Sequence, residues 1–114
     1  MEKSGVFKKI HALARLIPEG RVACYGQLAR VAGLPRGARM AGWAMMAEPE
    51  GAPVPAHRVI HADGTLCVGS DWAYTQRRLL LEEGIPFDDK GRVRLRECQM
   101  DDIELMLLAG EGPL

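Results

Sequence analysis

The stretch from Cys24 to Ala47 limits the fold most. Tyr25 to Ala32 reads as a short helix with Leu28, Ala29 and Val31 apolar. Gly33 can take the left-handed conformation that stops a helix. Leu34-Pro35-Arg36 then turns the chain, and Gly37 to Met46 reads as a second helix. Helix, tight glycine turn and small-residue helix is the form of a helix-turn-helix. Ala38, Ala41, Gly42 and Ala44 give the second helix a slim face. Such a face can approach a nucleic-acid groove closely or pack tightly on another helix, and the pattern alone leaves both open.

The remaining chain surrounds this unit. Ser4 is a candidate cap for a helix running to about Ile17, with Phe7, Ile10, Ala14 and Ile17 on one stripe and Pro18 and Gly20 ending it. Residues 47–55, rich in Pro and Gly, form a loop. Arg58-Val59-Ile60-His61 and Thr65-Leu66-Cys67-Val68 flank Ala62-Asp63-Gly64, which predicts a small hairpin. Ser70 or Asp71 would cap a helix from about Trp72 to Glu83, with Trp72, Leu79 and Leu80 toward the core and Gly84 and Pro86 closing it. A turn with a short extended segment follows over 87–93, then a last amphipathic turn or two over 101–108.

A chain of 114 residues supports one domain with a modest core. No apolar run approaches the roughly 20 residues that span a bilayer, and the opening Met1-Glu2-Lys3-Ser4-Gly5 lacks signal-peptide character. A cytoplasmic protein without membrane contact is expected. Cys24, Cys67 and Cys98 are odd in number and widely spaced, which argues against a disulfide framework, and no Cys/His spacing suggests a metal. No cofactor is expected. Net charge is zero, yet the charges are segregated. Lys3, Lys8, Lys9, Arg15, Arg21, Arg30, Arg36 and Arg39 precede Ala47 against only Glu2 and Glu19, and the acidic residues concentrate after Glu48. A basic front can hold phosphate although the totals cancel.

The candidate chemistry lies in Pro55-Ala56-His57-Arg58-Val59-Ile60, followed by Asp63-Gly64. It is preceded in order by Ile17-Pro18-Glu19-Gly20-Arg21-Val22, Tyr25-Gly26-Gln27-Leu28-Ala29 and Ala38-Arg39-Met40-Ala41-Gly42, and followed by Leu79-Leu80-Leu81-Glu82-Glu83-Gly84. From about Val6 to Gly84 this ordered set resembles the DNA-binding, active-site domain of the O6-alkylguanine-DNA alkyltransferases. That family carries Pro-Cys-His-Arg where this chain has Pro55-Ala56-His57-Arg58, with the Cys as alkyl acceptor. The replacement by Ala56 makes the chain similar to the alkyltransferase-like proteins, which bind alkylated bases without repairing them. The implied fold is mainly α with a small β-hairpin: a winged helix-turn-helix-like single domain over 1–114 that resembles the alkyltransferase C-terminal domain. Residues 84–114 would be a variable C-terminal extension.

The resemblance implies roles for particular residues. Tyr25 would push the phosphate of the target nucleotide, and Arg39 would enter the vacated base stack. Tyr25, Gln27, Arg36, Gly37, Ala38, Arg39, Ala41 and Gly42 would meet the DNA, with the second helix in the minor groove. Tyr25, Met45, Val54, Pro55, Ala56, Val59 and Ser70 would line the lesion pocket. His57 and Glu83 would be the remainder of the triad that deprotonates the family's Cys. The chain departs from the family at Glu48, where an Asn is expected, and over Cys67 to Trp72, where a Gly-Tyr-Ser/Gly-Gly run is expected. Trp72 reads as a core residue more readily than as part of a lid.

The implied function is a non-enzymatic, monomeric sensor of O6-alkylguanine in double-stranded DNA that hands the lesion to nucleotide excision repair proteins. Two further readings stay open. His57 and Glu83 could activate water, or Cys24 or Cys67 could replace the missing thiol, in an active repair enzyme. A winged-helix transcription factor would instead require a preferred sequence.

Overall fold

The computed structural model describes residues 3–34, 36–66 and 71–110. Helix α1 (Lys3–Ala14) buries Ile10, Leu13 and Ala14, with Ile17 beyond its end equally enclosed and Phe7 partly so. The expected stripe is therefore present. The helix begins at Lys3, so Ser4 falls inside its first turn. His11 is also buried, its Nε2 2.6 Å from the carbonyl of Ala44, which ties α1 to the centre of the fold.

Helices α2 (Tyr25–Val31) and α3 (Ala38–Met46) pack closely through Leu28, Ala29, Ala41 and Ala44. Gly33 between them has φ +88° and ends α2 in the left-handed conformation. Gly37 is constrained differently. A Cβ there would stand 2.7 Å from Leu34 Cβ and 3.2 Å from Ala29 Cβ, so its bareness sets how near α3 comes to α2.

Strand β1 (Ala23–Cys24) pairs in parallel with β2 (Val59–Ile60), in the register Ala23↔Val59 and Cys24↔Ile60. Among the described residues, this pair replaces the expected hairpin as the sheet. The turn at Ala62-Asp63-Gly64 does form, closed by hydrogen bonds from Gly64 N to His61 O and from His61 N to Thr65 O. Residues 67–70, which hold most of the proposed second strand and Ser70, lie outside the described residues. The buried strands join two apolar clusters, Ala23 and Val59 facing the α1–α3 side and Ile60 the other.

Helix α4 (Asp71–Glu82) buries Leu80 and Gln76. The Gln76 amide donates to the carbonyls of His57 and Val59, fixing α4 to the segment that precedes β2. Beyond Gly84 the chain remains part of the core. Ile85, Val93, Cys98, Met100 and Leu105 are buried, and Val22 forms a parallel bridge with Gln99. The extended segment at 87–93 is an antiparallel bridge between Phe87 and Val93. It leads to a short unpredicted helix α5 (Leu95–Cys98) and to α6 (Asp102–Leu108). Asp101 caps α6 by accepting from Glu104 N, while Glu104 reaches back to Asp101 N.

The segregated charges meet across this core. Arg30 grips Asp102 at 2.6 Å and Arg21 grips Glu104 at 2.9 Å, so part of the basic N-terminal half is neutralised by α6. Lys8 pairs with Glu50, and Arg15 holds the carbonyls of Glu50 and Ala52 in the Pro/Gly loop. Among the described residues Lys9, Arg36 and Arg39 have no carboxylate partner.

Gly37→Ala should therefore lower stability by ~1–3 kcal/mol, the usual cost of overpacking a tight contact. The expected observation is a lower urea midpoint with an unchanged slope.

Candidate nucleic-acid interface and lesion pocket

A cavity of about 820 Å³ opens beside the outward side of α3. Helix α3 supplies Ala38, Arg39, Gly42, Trp43, Met45 and Met46 to its wall. Tyr25 comes from the first residue of α2, Ala56 from the 3-10 turn Ala56–Arg58, His61 from the end of β2, and Trp72 from the start of α4. The sheet register explains one pairing. Since Cys24 stands opposite Ile60, the next residues on each strand are Tyr25 and His61, and their rings meet at 5.1 Å with a 51° tilt.

Of the residues expected at the pocket, Tyr25, Met45 and Ala56 line the cavity together. Val54 and Pro55 are half-buried behind it and Ser70 is outside the described residues. Val59 is a correction: it is fully buried and packs in the core between α1, α3 and β1. Trp72 is a second correction. It is 38% exposed and lines the cavity instead of filling the core.

Of the expected DNA-contacting set, Ala38, Arg39 and Gly42 lie on the exposed side of α3 at the cavity, and Arg36 is exposed in the preceding turn. Gln27 and Ala41 face inward. Gln27 is buried: its amide nitrogen donates to Met100 O, while its Oε1 accepts from Cys24 N at 3.0 Å and Gln99 Nε2 at 3.2 Å. It caps α2 and ties it to the C-terminal segment. Ala41 is fully buried against α2. Gly37 acts through its close approach to Leu34.

Trp43, Met46 and His61 were not anticipated. Trp43 and Met46 lie four and seven residues after Arg39, on the same helical stripe, and are 47% and 86% exposed. Their spacing was legible. The position of His61 depends on the parallel register, which no local pattern announces.

Behind the cavity wall, His57 and Glu83 meet, with His57 Nε2 2.6 Å from Glu83 Oε2. Arg58 also grips this carboxylate, Nε donating to Oε1 at 2.9 Å and a terminal nitrogen to Oε2 at 2.8 Å, and its other terminal nitrogen donates to Ile17 O. Gly20 N–H adds a bond to Oε1 at 3.2 Å. Burial on its own would push the Glu83 carboxyl up. The hydrogen bonds from Arg58, then His57 and Gly20, outweigh it and hold the carboxyl at about 2. The cluster can therefore hold the turn around Ala56 rigidly.

Among the described thiols, the one nearest this region is poorly suited to chemistry. Cys24 is buried and its Sγ lies 3.7 Å from His61 O. Burial pushes its ionisation up to about 11, so little thiolate exists near neutral pH. Cys67 lies outside the described residues. Among the described residues no group of His, Cys, Asp and Glu could hold a metal ion, and no helix is long and apolar enough to cross a membrane.

This mostly helical frame with a two-stranded sheet recurs in known proteins. The family model described as "6-O-methylguanine DNA methyltransferase, DNA binding domain" matches residues 5–85. The chain belongs to this family, among its alkyltransferase-like members. A protein of Escherichia coli named DNA base-flipping protein is 37% identical over 97 residues, spanning 84% of this chain and 75% of the relative. Alkyltransferase-like protein 1 of Schizosaccharomyces pombe is 37% identical over 87 residues, spanning 75% of this chain and 81% of the relative. The solved structure of S. pombe Atl1 in complex with damaged DNA containing O6-carboxymethylguanine superposes with a TM-score of 0.71 at 31% identity, covering 86% of this chain and 97% of that one.

The depressed Glu83 carboxyl links stability to pH. Its contribution is complete above the ordinary value of 4.5 and is lost as pH falls toward about 2. Glu83→Gln should cost ~3 kcal/mol at neutral pH, because it leaves Arg58 without its buried counter-ion. Urea unfolding across the acid range should show the wild-type midpoint falling through this window and the variant's changing far less.

Proposed function

We propose that this protein is a non-catalytic sensor of O6-alkylguanine in duplex DNA. Helix α3 lies in the minor groove as the second helix of a helix-turn-helix, with Arg36 and Arg39 toward the backbone and the stack. The damaged nucleotide rotates into the cavity between Tyr25 and Ala56. Extruding a base costs a few kcal/mol of stacking and pairing. The planar guanidinium of Arg39 refills the gap and bonds to the orphaned base.

The observation that carries this reading is the cavity itself, bordered by the exposed Arg39 on one side and the methyl group of Ala56 on another. A methyl group can neither ionise nor accept an alkyl group. The buried, protonated thiol of Cys24 offers no substitute. Relatives bearing the names DNA base-flipping protein and alkyltransferase-like protein support the same direction. Binding without turnover has a use only if other factors act on the complex, so hand-off to nucleotide excision repair proteins completes the proposal. The protein works as a monomer.

A second reading rests on one observation, the intact His57–Glu83 pair. If that pair activated water, the protein would be a dealkylating enzyme. Single-turnover incubation with labelled O6-methylguanine duplex separates the two. Unchanged DNA and unlabelled protein are expected, whereas released methanol or labelled protein means catalysis.

Competitive binding to matched duplexes differing by one O6-methylguanine should favour the lesion, and affinity should fall as salt rises. Arg39→Ala should weaken lesion binding by ~5–150-fold, the value of roughly 1–3 kcal/mol for a lost stacking group, with circular dichroism unchanged. Undiminished affinity in that variant rejects the role of Arg39.

A further inference from the structure

One basic side chain in the cavity wall has no task in this reading. Trp43, Met45, Met46 and Trp72 give the wall an apolar surface, and Ala56 gives it depth. Tyr25 and Arg39 are already assigned, and Arg39 leaves for the base stack when a nucleotide enters. His61 remains.

The position of His61 is fixed while its ring is uncommitted. Its N–H donates to Thr65 O at 3.1 Å, and its carbonyl accepts from Gly64 N at 3.0 Å and from Cys24 Sγ at 3.7 Å. The ring leans on Tyr25, and among the described residues its nitrogens have no hydrogen-bond partner. The charged or titratable groups around it come from its own loop and from β1, α2 and α3. Asp63, on the same loop, accepts from the Thr65 N–H and hydroxyl at 3.0 and 2.6 Å and also interacts electrostatically with His61. Cys24 and Tyr25 face it from β1 and α2, and Arg39 stands in the same wall on α3.

A neutral imidazole donates one hydrogen bond and an imidazolium two. An alkyl adduct on O6 uses neither. A carboxylate at the end of the adduct would gain a charge-assisted hydrogen bond in a cavity partly closed to water, where such bonds are strongest. We propose that His61 makes the cavity selective for guanines whose O6 substituent ends in a carboxylate over neutral substituents of equal size. This rests on the reading of the cavity as a lesion pocket.

The test compares matched duplexes carrying guanine, O6-methylguanine, O6-carboxymethylguanine or its neutral isostere O6-carbamoylmethylguanine. The carboxymethyl-to-carbamoylmethyl affinity ratio cancels the phosphate contacts common to both. It should be ~10-fold in favour of the carboxylate, the advantage of a charge-assisted over a neutral hydrogen bond. His61→Asn should bring the ratio to about one and leave the O6-methylguanine preference within about twofold, and His61→Gln should repeat this result. A ratio near one in the wild type, or one that both variants retain, overturns the proposal. Equal weakening of all four duplexes by His61→Asn also overturns it, because that is the mark of a phosphate contact. In those cases a persisting preference for O6-methylguanine over guanine leaves the lesion pocket standing. Loss of that preference in the wild type removes the pocket reading and this inference together.

Discussion

The carboxylate of Glu83 is the point on which the cavity depends. It lies just beyond the end of α4, yet it receives Arg58 and His57 from the turn bearing Ala56 and the Gly20 N–H from the turn after α1. Arg58 extends the tie to Ile17 O. Three chain segments far apart in sequence thus converge on two oxygens. The His57–Glu83 pair is combined with the bidentate Arg58, and the arrangement fixes the position of the cavity wall. Gln76 reinforces it by bonding the carbonyls on either side of Arg58.

Neutral overall charge does not make the surface uniform. Helix α6 takes up Arg21 and Arg30 through Glu104 and Asp102, and these contacts are partly exposed, so each contributes modestly. Their larger effect is on where positive charge remains. With those arginines neutralised, Arg39 stands out in the cavity wall and Arg36 in the turn before α3. The acidic C-terminal segment therefore shapes the basic side of the molecule and is not merely its counterweight.

How much was legible in the sequence follows from the length of each signal. Helices α1, α2, α3 and α4 have apolar spacing and stop residues over seven residues or more, and their ends fall close to the expected positions. Helix α5 has only Leu95–Cys98, too short for a period to show. Strands of two residues cannot display alternation, so the parallel pairing of Ala23–Cys24 with Val59–Ile60 leaves no local pattern in the sequence. Motif spacing located the site but not the inward or outward sense of each residue. Ala41 and Gly42 are neighbours, yet one is sealed against α2 and the other borders the cavity. Gln27 looked like a surface contact because nothing in the sequence reveals that Met100 O and Cys24 N converge on its amide. Trp72 and His61 needed the packing of α4 and the sheet register to be known.

The parallel register has a further implication for how this architecture tolerates change in length. Arg15 clamps the loop at Glu50 and Ala52, well before the turn at Ala56, so residues gained or lost near the loop apex are absorbed on the surface. A single residue inserted between Arg58 and His61 has no such outlet. Because strand side chains alternate sides, it would exchange Val59 and Ile60 between their two apolar clusters and swing the imidazole away from Tyr25. Diversity in molecules built this way should accumulate in the connector, while the few residues beyond it keep a constant count.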